Sequence, residues 1–120
     1  MAKKILIAED DQFLIKMYKL QLEDSSADVE IAVNGKEAIA SINKEQPDLL
    51  LLDLLMPEVD GFQVLEHIKE KKYKFPVVIL SNLSQEVDKD KCLALGAKDY
   101  FVKSDMDLEE LGEKIAKYLK

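Results

Sequence analysis

The chain has 120 residues, 48% of them hydrophobic, enough apolar mass for the buried core of one domain and too little length for two. Its 24 acidic and 17 basic residues leave a net charge of -7, which excludes a general attraction to nucleic acid or anionic membrane while leaving room for a local basic face. Cys92 is the single cysteine, so an intramolecular disulfide and a cysteine-based zinc site are both excluded, as suits a reducing cytoplasm.

Strand-like and helix-like patterns alternate five times. Ile5 to Ala8 is a short apolar run that Glu9 stops, too short for a signal peptide or a membrane span, so a soluble cytoplasmic protein is expected. Within Asp11 to Glu23, the residues Phe13, Leu14, Met17, Leu20 and Gln21 fall on one helical face, the expected inward one. Val29 to Val33 reads as a second strand closed by Asn34-Gly35, followed by a helix with Ala38, Ile39 and Ile42 as its stripe. Leu49 to Leu52, entered through Gln46-Pro47-Asp48, is apolar on both faces and reads as a central strand of a parallel sheet. Asp53 arrives where that strand should end, and Pro57 and Gly61 turn the chain.

The next helix carries Phe62, Leu65 and Ile68 inward. Val77 to Leu80 is the fourth strand and about Ser84 to Leu95 the fourth helix, with Gly96 at the place of a C-terminal glycine. Asp99 to Val102 is the fifth strand, and about Asp107 to Leu119 the fifth helix, with Leu108, Leu111, Ile115 and Leu119 aligned. The expectation is an α/β fold: a doubly wound five-stranded parallel sheet in the flavodoxin-like order 2-1-3-4-5, with helices on both faces. Residues 1–120 form one domain, with no repeat, linker or room for a second.

Ligands of such sheets sit at the carboxyl ends of the strands. There the order brings Glu9, Asp10 and Asp11, after strand one, beside Asp53, after strand three. Two carboxylates ~4 Å apart repel by ~1 kcal/mol in water and ~4 kcal/mol at an effective dielectric of 20, so such a cluster must hold a proton or a cation. All-oxygen ligands suit a hard divalent ion, Mg2+ above all where a phosphate completes the shell. Asp11 is the natural helix cap; Glu9, Asp10 and Asp53 are the candidate metal ligands. Ser81 and Lys103, at the ends of strands four and five, bring a hydroxyl and a cation to the same rim. A carboxylate nucleophile, a divalent ion, a lysine and a hydroxyl are the parts needed to move a phosphoryl group onto an aspartate.

Together, the run Ile5 to Asp11, Asn34-Gly35 with Glu37-Ala38, Asp53 through Met56-Pro57 to Asp60-Gly61, Ser81, Gly96-Ala97 and Tyr100 to Lys103 resemble the response-regulator receiver domain of two-component signalling. The resemblance covers essentially the whole chain. It implies that Asp53 is the phosphoacceptor and that Glu9, Asp10, Asp53 and the backbone carbonyl of Leu55 hold Mg2+. It implies further that Lys103 contacts the phosphate, that Ser81 is the switch hydroxyl, and that Tyr100 changes rotamer as Ser81 is drawn toward the phosphate.

The chain departs from the family at several points. Ser104 stands where a proline in a cis bond is usual, and cis before a non-proline residue costs ~2.5–4 kcal/mol, so the bond is open between cis and trans and the lysine's placement with it. Asn82 replaces a small residue after the switch hydroxyl, which narrows access to the phosphate or adds a hydrogen bond. Leu55 and Leu83 occupy the two variable positions that influence attack by water on the acyl phosphate, and neither can orient a water, so slow self-dephosphorylation is expected.

An aspartate-nucleophile phosphatase would need an acid where Leu55 stands. A flavodoxin-like nucleotide binder would need an anion cradle where Glu9 to Asp11 stand. A receiver-shaped interaction module that is never phosphorylated would not need the full set of acids, Ser81 and Lys103. The chain is therefore not a conventional enzyme. Its expected phosphodonor is a sensor histidine kinase or histidine phosphotransfer protein. Its expected output is a downstream protein target or a phosphorylation-dependent homodimer, through the face of the fourth helix, fifth strand and fifth helix. His67 and the Lys69 to Lys74 run read as solvated surface, and Cys92 as a packed helix residue.

Overall fold

A computed structural model describes residues 2–23, 26–105 and 107–119. The elements run β1 (Lys4–Ala8), α1 (Gln12–Leu22), β2 (Asp28–Ala32), α2 (Gly35–Lys44), β3 (Leu49–Leu52), α3 (Gly61–Lys71), β4 (Val77–Ser81), α4 (Glu86–Ala94), β5 (Asp99–Val102) and α5 (Leu108–Tyr118), with a 3-10 turn over Lys103–Asp105 between the last two. All four strand pairings are parallel and the order is β2-β1-β3-β4-β5, as the alternation of patterns implies.

Each central strand feeds two cores, because successive side chains leave opposite faces. Leu6, Ala8, Leu50, Leu52 and Ile79 pack under α2, α3 and α4, together with Ala38, Ile42, Leu65 and Cys92. Ile5, Ile7, Leu49, Leu51, Val78 and Leu80 pack under α1 and α5, together with Tyr18, Leu22, Leu111 and Ile115. The four leucines of β3 are fully buried, which is why that strand shows no alternation of polarity.

Local chemistry sets the helix starts. Asp11 accepts hydrogen bonds from the amides of Phe13 and Leu14, Asn34 from Glu37 and Asp107 from Glu109, while Asp60 and Gln63 form a reciprocal capping box. Gly96 ends the α4 segment at φ 103°, a conformation that disfavours any side chain.

One expected face is rotated about the helix axis. The inward stripe of α1 is Ile15, Tyr18 and Leu22, whereas Phe13 and Leu20 are 68% and 65% exposed. Of the expected stripe, Leu14 packs against this core and Met17 and Gln21 are half-buried, so the rotational setting of α1 on the sheet turns only Phe13 and Leu20 outward. Smaller corrections concern Val33, which lies just beyond β2, Val64, which α3 buries more deeply than Phe62, and α4, which starts at Glu86 rather than near Ser84.

Candidate functional site

The register places the acids. Ala8 pairs with Leu52, so the residues that follow them, Glu9 and Asp53, leave adjacent strand tips. Their backbones remain tied to the sheet, with the Asp53 amide on the Ala8 carbonyl at 3.0 Å and the Glu9 amide on the Ala32 carbonyl at 2.9 Å. Both side chains are nearly sealed from solvent, at 4% and 1% exposure, whereas Asp10 is exposed. Asp53 Oδ1 accepts from the Leu55 amide at 3.2 Å, and Glu9 Oε2 from the Asp11 amide at 3.2 Å.

Lys103 closes the cluster from the fifth strand. Its Nζ donates to Asp53 Oδ2 at 3.0 Å and lies 2.7 Å from Glu9 Oε1. The second contact is a short ion pair, so Glu9 Oε1 is enclosed with Lys103 as its partner. The Lys103–Ser104 peptide is trans, and with the 3-10 turn that begins at Lys103 the lysine reaches both acids.

Electrostatics at the rim follow from burial. Removal from water pushes the Glu9 carboxyl up to about 7; Asp53 adds to this and contact with Lys103 opposes it. Burial works against the charge of Lys103, but its contacts with Glu9 and Asp53 outweigh that and hold the ammonium above the usual lysine value. Near neutral pH Lys103 and partial protonation of Glu9 therefore offset the negative charge of the cluster.

One carboxylate oxygen from each of Glu9, Asp10 and Asp53 lies within 4.8 Å of the others, the one such group among the described residues that could share a metal ion. Two buried acids and one open to water, all oxygen donors, fit a hard, partly hydrated divalent cation. Asp11 stands apart as a helix cap.

Ser81 is fully buried at the end of β4, and its Oγ accepts from the Leu83 amide at 3.1 Å. The Tyr100 hydroxyl donates to the Leu83 carbonyl, so the backbone of Leu83 ties Ser81 to Tyr100. Burial raises the Tyr100 hydroxyl above the usual tyrosine value. Asn82 is exposed and Leu83 half-buried.

Tyr18 carries no signal in the sequence, and Gly61 reads there only as a turn. Tyr18 is buried on α1, and its hydroxyl has no hydrogen-bond partner among the described residues; burial first, then the charges of Glu9, Asp53 and Asp11, push it far above the usual value. Tyr18 lies off the face of α1 that the sequence pattern turns inward. Gly61 lets α3 start against the loop that follows β3, because a Cβ there would lie 2.4 Å from the Asp53 carbonyl oxygen. His67, expected in solvent, is half-buried, with Nε2 2.9 Å from Asn43 Oδ1.

Comparison with known proteins agrees with this geometry. A profile of the response regulator receiver domain matches residues 5–116. The alkaline phosphatase synthesis transcriptional regulatory protein PhoP of Bacillus subtilis is 38% identical over 103 residues, 86% of this chain and 43% of PhoP, so the chain spans less than half of that relative. The receiver domain of a Francisella response regulator superposes with a TM-score of 0.90 at 31% identity, covering 98% of this chain and 96% of that one. The phosphorylated cyanobacterial phytochrome response regulator RcpA gives 0.84 at 32% identity, covering 98% and 91%.

Proposed function

The chain belongs to the response regulator receiver domain family of two-component signalling, and from that premise we propose that Asp53 accepts a phosphoryl group in a Mg2+-dependent transfer that switches the domain's contacts with a partner. The observation that carries the reading is the convergence of Lys103 and three carboxylates on one strand-end rim, with Asp53 on the rigid end of a buried strand.

In the transfer, an Asp53 carboxylate oxygen attacks phosphorus. An O–P bond of an acyl phosphate forms as the P–N bond of a phosphohistidine breaks, and the leaving imidazole takes its proton from solvent. Glu9, Asp10, Asp53 and the Leu55 carbonyl would hold Mg2+, whose charge offsets that of the phosphoryl oxygens. Lys103, freed from its contact with Glu9, contributes a second cation to the same oxygens. Ser81 donates its hydroxyl to one of them and releases the Leu83 amide, which loosens the backbone that Tyr100 now holds.

Receiver domains interact with histidine kinases and downstream effectors. For this chain the donor is a sensor histidine kinase or histidine phosphotransfer protein. The output passes to a protein target or a second copy through α4, β5 and α5, where Tyr100 reports, and residues 1–120 act as one receiver unit. No helix among the described residues is long and apolar enough to cross a membrane.

The test is phosphorylation by acetyl phosphate with Mg2+, followed by hydroxylamine and tandem mass spectrometry. A hydroxylamine-labile group on Asp53, absent from Asp53→Asn, supports the reading. A hydroxylamine-stable group on another residue opposes it.

A further inference from the structure

A second feature lies at the opposite pole, where the strands begin, roughly 16 Å of strand away from the acidic rim. Between the C-terminal ends of α3 and α4 is a cavity of about 250 Å3 floored by Leu65, Ile68, Phe75 and Leu95. A shallower groove continues from it past Tyr73, Pro76 and Gly96. Lys69, Lys72, Lys74 and Lys98 rim the two, and no acidic residue lines either. In a chain of net charge -7 this is a local reversal of sign.

The bland account is that lysines at helix ends offset the backbone carbonyls there, and Lys69 does donate to the Ala94 carbonyl at 3.5 Å. Two helix C-termini carry roughly half a negative charge each, however, against four full positive ones. Among the described residues none of the four lysines forms an ion pair with a carboxylate. Lys72 also holds the left-handed conformation, φ 59°, at the end of α3, where glycine is the favoured residue. All four lysines are exposed, and Gly96 leaves the groove open, since a Cβ there would touch nothing within 4 Å.

We propose that this lysine-rimmed notch docks an acidic segment of a partner protein, seating one aliphatic or aromatic side chain in the cavity and carboxylates on the rim. Shape favours this occupant: the cavity of about 250 Å3 holds one side chain, and the open groove of about 400 Å3 that continues from it, sharing Tyr73, Lys74, Phe75 and Gly96, leaves room for the chain on either side. Its concave shape and the chain's net negative charge disfavour a bilayer surface. The notch is remote from Asp53, so the segment binds equally well whether or not the acidic rim is loaded.

The probe is a fluorescein-labelled peptide with a central phenylalanine flanked by glutamates, titrated against the whole chain by anisotropy and by amide NMR. Saturable binding is expected, with shifts confined to residues 69–76 and 94–98 and unchanged by Mg2+. Replacing the phenylalanine by glycine should weaken binding about tenfold or more. The double variant Lys72→Gln/Lys74→Gln, folded by its NMR spectrum, should weaken it about fivefold or more.

Equal binding of the glycine peptide, no effect of the double variant, or no saturable binding at millimolar peptide would overturn the proposal. So would a dimer of this chain, or adsorption to phosphatidylglycerol vesicles, that the same double variant abolishes, since either assigns the notch to a different occupant.

Discussion

Lys103 Nζ stands 3.0 Å from Asp53 Oδ2, a pairing across fifty residues that joins the ends of β5 and β3. The same nitrogen touches Glu9, so one cation holds two buried acids together. A phosphoryl group arriving at Asp53 must compete for that lysine, and a divalent cation must displace it from Glu9.

Replacing this lysine should therefore separate two effects. Lys103→Ala should slow phosphorylation by acetyl phosphate by about 10²–10³, the scale of losing one preorganised charge at a reacting centre. The same change should tighten Mg2+ binding, since the competing cation is gone. Intact-mass kinetics and titration calorimetry read the two separately. A variant that loses both Mg2+ affinity and phosphorylation would instead point to a collapsed rim.

The pH dependence follows from Glu9. Its carboxyl ordinarily titrates near 4.5 and in the folded chain near 7, so between those values the folded state binds more protons than the unfolded one. The stability this group contributes is fully present below about 4.5 and is lost as pH rises through about 7. Mg2+ binding releases the proton, so the ion should stabilise the fold more above pH 7 than below it. Thermal unfolding across this range with and without Mg2+ should show the crossover, and Glu9→Gln should flatten it.

The acyl phosphate should be long-lived. Leu55 is half-exposed beside Asp53 and Leu83 flanks Ser81, and neither side chain can orient a water. Placing a glutamate at Leu83 should speed phosphate loss by an order of magnitude or more, within the ~10²–10⁴ that a positioned acid–base group can supply. Decay of the phosphorylated mass after removal of donor measures this.

Gly61→Ala tests the support of the phosphoacceptor loop. The added methyl would fall 2.4 Å from the Asp53 carbonyl and 2.7 Å from Leu54 Cα, both backbone atoms. About 1–3 kcal/mol of stability should be lost, and phosphorylation should slow even at temperatures where the variant is folded. Urea denaturation and acetyl phosphate kinetics check the two effects.

What could be read in the sequence follows from how local the cause is. β3 was legible to the residue because four consecutive leucines have few uses other than a strand buried on both faces. Asp11 was legible as a cap because capping is decided within three residues. The inward face of α1 was not, since both stripes are apolar and the choice depends on how the helix docks on β1 and β3, a tertiary matter. The reach of Lys103 from a trans peptide, the partnerless hydroxyl of Tyr18 and the clearance at Gly61 likewise depend on backbone placement. Topology brought Glu9, Asp10, Asp53, Ser81 and Lys103 to one rim on paper; only coordinates show one lysine shared between two acids.

The most direct measurement is intact mass after incubation with acetyl phosphate, with Mg2+ and with chelator. The account predicts a gain of one phosphoryl group with Mg2+, little or none with chelator, and none in Asp53→Asn under either condition. A chain that gains no mass with Mg2+, or gains it equally with Asp53 replaced, would contradict it.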